Sequence, residues 1–149
     1  MRYYEDLSVG DEAEFGQYEM TREEIIEFAT KYDPQPFHLS EEGGKTSIFG
    51  GLCASGWHTC AATMRMMVEE MTKQQTAGLG SPGIDELQWL KPVFPGDVLR
   101  VKTTILGKSE SKKRPQIGFI KNRYEVFNQK DEMVMRFTGN FIIQRREQG

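Results

Sequence analysis

The sequence predicts an α+β domain in which an antiparallel sheet curves around one long helix. Two observations carry this. The stretch from Gly50 to about Gln74, GGLCASGWHTCAATMRMMVEEMTKQ, spaces its apolar residues three and four apart, and the final third of the chain alternates apolar and polar residues almost without a break. Trp57, Ala61, Met64, Met67, Val68 and Met71 make one stripe of the helix, while Leu52, Ala54, Cys60, Ala62 and Met66 sit around the rest. A helix of this kind is expected to be enclosed on most sides.

Ahead of it, Gly10-Asp11 reads as a turn into a strand from about Glu12 to Met20. Thr21 offers an N-cap, and Glu24 completes a capping box before Ile25, Ile26, Phe28 and Ala29, which predicts a helix over about 22–31. Pro34 and Pro36 each remove a backbone donor and bias Asp33 and Gln35 toward extended conformations, so the helix must end before them. Leu39 to Phe49, with Gly43 and Gly44, predicts a loop or a broken short helix, and Thr76 to Gly83 a breaker-rich connection. Strands are expected at about 84–90, 98–106, 117–127 and 133–143. In the second, Leu99, Val101, Thr103 and Ile105 alternate with Arg100, Lys102 and Thr104; in the third, Ile120, Asn122, Tyr124 and Val126 alternate with Lys121, Arg123 and Glu125. Lys108 to Pro115 reads as a charged hairpin connection. A sheet this open leaves edges that a homodimer, or a higher homo-oligomer, would cover.

The 149 residues suit a single domain over 1–149. A formal charge of -3 gives no electrostatic case for nucleic acid or for an anionic membrane surface. No apolar run reaches the roughly 18 residues of a spanning helix, and the start, MRYYEDLSVGDE, lacks the layout of a signal peptide, so a cytoplasmic location is expected. Cys53 and Cys60, placed on one helix, would be separated by roughly 10 Å of rise, too far for a disulfide. They read as small core residues. No close ligand spacing supports a metal site from Asp33, His38 and His58, and neither a metal nor an organic cofactor is expected.

The densest chemistry lies in Tyr32-Asp33-Pro34-Gln35-Pro36-Phe37-His38. An imidazole can take or give a proton near neutral pH, and a carboxylate can hold a water or orient the ring. Two prolines stiffen the span between Asp33 and His38, which suits a fixed mutual geometry. On residue pattern alone, the same run also reads as a capped turn with a surface histidine.

The run resembles the hydratase-2 signature of the MaoC-like dehydratases, the (R)-specific enoyl-CoA hydratases, in which Asp-x-Asn-Pro-x-His recurs. Asp33, Pro36 and His38 match, and Gln35 stands where the family usually has Asn. The resemblance extends in the same order through YYEDLSVGD, FGGLCASGWHT, GSPGIDELQWLKPVFPGD and the closing strands. It implies the hotdog fold, a long helix wrapped by an antiparallel sheet and usually dimeric. It also implies an enzyme of fatty acid metabolism that reversibly adds water across the 2,3 double bond of an enoyl-CoA thioester, of the (R)-3-hydroxyacyl-CoA type.

Under that resemblance Asp33 would be the acid/base carboxylate and His38 the partner that binds the same water. Charge developing on the thioester oxygen needs a donor already aimed at it. A helix N-terminus supplies one, and the backbone of Gly50 or Gly51 is the expected oxyanion hole. Gln35 is expected to brace the loop. His58 is expected either to bond the catalytic groups or the substrate, or to be a buried histidine satisfied by a carbonyl. Ser55 and Trp57 read as packing residues. Lys91, Arg100 and Lys112-Lys113-Arg114 are available for CoA phosphates because they are basic. Two alternatives stay open: a hotdog acyl-CoA thioesterase, and a non-catalytic acyl-CoA-binding subunit.

Overall fold

A computed structural model describes residues 1–147 of the chain. Five antiparallel strands, β1 (Glu12–Glu19), β2 (Gly78–Trp89), β3 (Val98–Glu110), β4 (Ile117–Phe127) and β5 (Met133–Gln144), form one sheet in the order β1-β3-β4-β5-β2. Helices α1 (Arg22–Tyr32), α2 (Pro36–Leu39), α3 (Glu41–Lys45) and α4 (Gly56–Lys73) all fall between β1 and β2 in the chain, and those two strands form the edges of the sheet.

The alternation predicted for β4 is the one observed. Ile120, Asn122, Tyr124 and Val126 are buried, while Lys121 and Arg123 are exposed. From α4, Ala62 and Met66 join Leu99, Val101, Val126, Val134 and Met135 of the sheet and Ile25 of α1 in one core. A second cluster of Tyr4, Leu7, Ile105, Ile120 and Ile143 closes the far end. Met66 approaches β1 closely at Gly16, where a Cβ would meet its sulfur at 2.5 Å, so the side chain fits only because that residue is glycine.

The central helix departs from expectation in two ways. It begins at Gly56 and not at Gly50, because the preceding backbone bonds elsewhere: the Cys53 amide donates to Phe37 O and the Ala54 amide to Val93 O. Its buried residues are His58, Thr59, Ala62, Thr63 and Met66, whereas Trp57, Ala61, Met64 and Val68 of the predicted stripe face outward. Thr63 donates its hydroxyl to Thr59 O, so a small polar residue is buried at little cost where helix and sheet meet closely.

The strands also run longer than their alternation suggested. Most of the predicted 76–83 connection is the first half of β2, with Gly80 and Gly83 at positive φ and the register shifting around them, as bulges require. Strand β3 continues to Glu110, which shortens the charged hairpin connection. Cys53 lies ahead of α4 and is buried, Cys60 lies on it, and both are free thiols.

Candidate active site

Helix α1 ends where the prolines require, and Asp33 is its C-cap, its amide still donating to Ala29 O. Gln35 is extended, as a residue before proline should be. Pro36 then opens the single turn of α2 from the first helical position, where its missing N–H costs nothing. This turn carries His38 back toward Asp33. The stiff span thus closes a small loop with both side chains on its inner side.

His38 is buried, and its Nδ1 lies 2.7 Å from Cys53 O. A carbonyl can only accept, so Nδ1 carries the hydrogen and Nε2 of the neutral ring offers a lone pair. That lone pair faces Asp33 Oδ2 at 3.4 Å. The same Oδ2 accepts the Ser55 hydroxyl at 2.7 Å, and Oδ1 accepts the Gln35 amide at 2.6 Å. Burial pushes the Asp33 carboxyl up, but the bonds from Gln35 and Ser55, with the attraction of the His38 ring when it is protonated, outweigh it and hold the group below its ordinary value. Asp33 is therefore ionised across the neutral range.

Ser55 is the N-cap residue of α4, yet its side chain makes no capping bond, because the hydroxyl is committed to Asp33. The amides of His58 and Thr59 reach Ser55 O, which leaves those of Gly56 and Trp57 without a helical acceptor. Trp89 packs against Gly56 and donates its indole N–H to Gly56 O at 2.9 Å; a Cβ on Gly56 would meet the indole at 2.4 Å. A cavity of about 360 Å³ opens here. Its wall includes Asp33, His38, Phe49, Gly56, Trp57 and Trp89.

Gly50 and Gly51 do not line this cavity and stand ahead of the helix, so the amides at a helix start belong to Gly56 and Trp57. Gly50 adopts φ +74 in open space, a turn that glycine permits. Ser55, read from the sequence as packing, is fully buried and also bonds Asp33, a contact that pattern alone missed; a serine directly before the Gly-Trp of the helix start was the available signal. His58 faces away from the cavity, and its partner is Glu24 instead of a carbonyl. Of the basic candidates only Lys91 lines the cavity, where it pairs with Glu132. Cys53 lies beside His38, but burial, with Asp33 nearby, pushes its thiol up to about 11, so it stays protonated.

A five-stranded antiparallel sheet packed on one long helix defines a hotdog protein, and here a carboxylate and an imidazole meet at that helix's start. The family profile described as "MaoC like domain" matches residues 7–125. The chain belongs to the MaoC-like dehydratase family. A MaoC-like dehydratase from Rhodospirillum rubrum shares 40% identity and superposes with a TM-score of 0.90, covering 99% of this chain and 100% of that one. The uncharacterized protein YdeM of Bacillus subtilis is 26% identical over 95% of this chain and 98% of its own length. The mesaconyl-CoA hydratase of Cereibacter sphaeroides is 35% identical over 44% of this chain and 19% of its own length.

Proposed function

We propose that this protein is a hydratase/dehydratase that adds water reversibly across the 2,3 double bond of an enoyl-CoA thioester, giving a 3-hydroxyacyl-CoA of the (R) type. The observation that carries the reading is the pair of acceptors, Asp33 Oδ2 and the His38 Nε2 lone pair, 3.4 Å apart on a cavity that also holds the free amide of Gly56.

A water between two acceptors gives each a hydrogen, and its oxygen lone pair is left to attack C3. As the C3–O bond forms, Asp33 takes the proton, the π electrons move toward the thioester, and negative charge gathers on its oxygen. The amides of Gly56 and Trp57, at the positive end of α4, are placed to receive that charge. Asp33 then returns a proton to C2, and the carbonyl re-forms. Ser55 and Gln35 hold the carboxylate in place, and Cys53 O holds the ring in the tautomer that accepts. Dehydration is the same path reversed.

The proposal includes a homodimer, because outward apolar side chains of α4 adjoin those of β2, an edge strand, Trp57 against Trp89 and Met64 beside Ile84.

The test is the loss of ultraviolet absorbance from a panel of trans-2-enoyl-CoA thioesters, with free thiol assayed in parallel. Absorbance loss without thiol is expected, and Asp33→Asn and His38→Ala should each cut it by roughly 10²–10⁴-fold. Thiol release would instead make the protein a thioesterase. Acyl-CoA binding that is unaltered in both variants, with no turnover, would make it a binding subunit.

A further inference from the structure

The site as described uses Asp33, His38, Ser55 and Gln35, and leaves unexplained the most deeply buried titratable side chain of α4, His58, which is 2% exposed. Its Nε2 lies 2.8 Å from Glu24 Oε1, and the Phe28 ring lies flat on its imidazole, with centroids 4.8 Å apart and planes inclined by 9°. Glu24 Oε1 also accepts the Tyr18 hydroxyl of β1, at 2.5 Å. Burial pushes the Glu24 carboxyl up, but the bonds from Tyr18 and His58 bring it below its ordinary value, so it is an ionised acceptor shared between β1 and α4.

Glu24 and Phe28 lie on successive turns of α1, and the next turn ends in Tyr32 and Asp33. Helix α1 therefore meets the first turn of α4 twice, at His58 through Glu24 and Phe28, and at Ser55 through Asp33. The contacts run from Glu24 to Asp33, a span of roughly 14 Å along α1. A rotation or slide of α1 at the first would carry Asp33 away from Ser55 at the second.

Packing alone does not account for a histidine here. Its Nδ1 is buried with no hydrogen-bond partner among the described residues, and phenylalanine would fill the same stack against Phe28 without an unpaired nitrogen. What phenylalanine lacks is the donor to Glu24. We propose that His58 is a positioning residue: by fixing Glu24 and Phe28 it sets where α1 delivers Asp33 against Ser55 and the first turn of α4. For the reaction it serves, the inference rests on the hydratase reading; the geometry does not depend on it.

Two readouts test it on the full chain. The first is the ¹³C titration of the Asp33 carboxyl in wild type, His58→Phe and His58→Gln, with Ser55→Ala as the reference for a lost bond. The groups facing Asp33 are Gln35 and His38, and Cys53 and Ser55 ahead of α4; those facing Glu24 are Tyr18 and His58. His58→Phe should stay folded, losing in melting temperature only what one charge-assisted hydrogen bond contributes, while Asp33 titrates at higher pH, in the direction of Ser55→Ala. The second is turnover: kcat should fall roughly ten- to hundredfold with KM within about threefold. His58→Gln, whose amide can donate where Nε2 does, should restore most of both.

An unmoved Asp33 titration in a folded His58→Phe, or a His58→Gln that titrates and turns over like His58→Phe, would overturn the proposal. A wild type that hydrates no thioester would remove the hydratase reading alone, because the carboxyl titration still decides the role of His58.

Discussion

At the scale of single residues, the site depends on hydrogen bonds that keep a half-enclosed carboxylate charged. Ser55→Ala removes one of them, the 2.7 Å bond to Asp33 Oδ2. Asp33 should then titrate at higher pH, and the acid limb of kcat/KM should move up with it, measurable as a shift in the pH–rate profile with the alkaline limb in place. The same logic gives a sign for stability. The folded value of Asp33 lies below that of an unfolded chain, near 3.9. Its contribution is therefore fully present above that unfolded value and is lost as pH falls through the folded one. In Ser55→Ala that contribution is smaller, so the gap between the two proteins in urea midpoint should narrow as the solution is acidified. Asp33 and His38 were legible because prolines fix a short local span, and local geometry follows from local sequence. Ser55 and His58 were not, because their partners lie 22 and 34 residues away. No spacing rule reaches across α1 to α4.

At the scale of elements, the start of α4 decides which glycine lines the cavity. Two glycines at 50–51 and another at 56 offer the same local signal, and only the bonds of Cys53 to Phe37 and of Ala54 to Val93 select the third. Substitutions separate them. Gly56→Ala places a Cβ against the Trp89 indole, so it should cost about 1–3 kcal/mol of stability and lower kcat sharply, since the amides of Gly56 and Trp57 shift with the backbone. Gly50→Ala meets no neighbour but must adopt φ +74, which costs about 1 kcal/mol or more. Its kcat should stay within about threefold of wild type. Denaturant midpoints and turnover, measured side by side, distinguish the two. The strands were easier to read. In β4 one face is buried and the other wet, so a period of two was imposed by the environment. In β2, exposed along nearly its whole length and bent at Gly80 and Gly83, nothing imposed that period, and its first half read as a connection.

At the scale of the molecule, the misread face of α4 becomes informative. A stripe at helical spacing signals that something apolar covers it, but not what. Here the sheet takes the other face, leaving Trp57 60%, Met64 53% and Val68 48% exposed, with Ile84 48% and Trp89 45% exposed on β2. Strand β2 is an edge, and added Cβ atoms at Gly80 and Gly83 would meet nothing within 4 Å, so among the described residues no neighbour covers it at these two positions. A second copy would bring the same stripe and the same edge, covering both at once in a closed two-fold contact. Val68→Glu and Ile84→Glu should therefore shift the protein from dimer to monomer in sedimentation velocity while the circular dichroism of the fold is kept. Trp57 and Trp89 belong both to this patch and to the cavity wall, so the monomers should also lose turnover although neither substitution touches Asp33 or His38. Wild type that sediments as a monomer at working concentration would remove the second copy from the account, and the apolar face would need another cover.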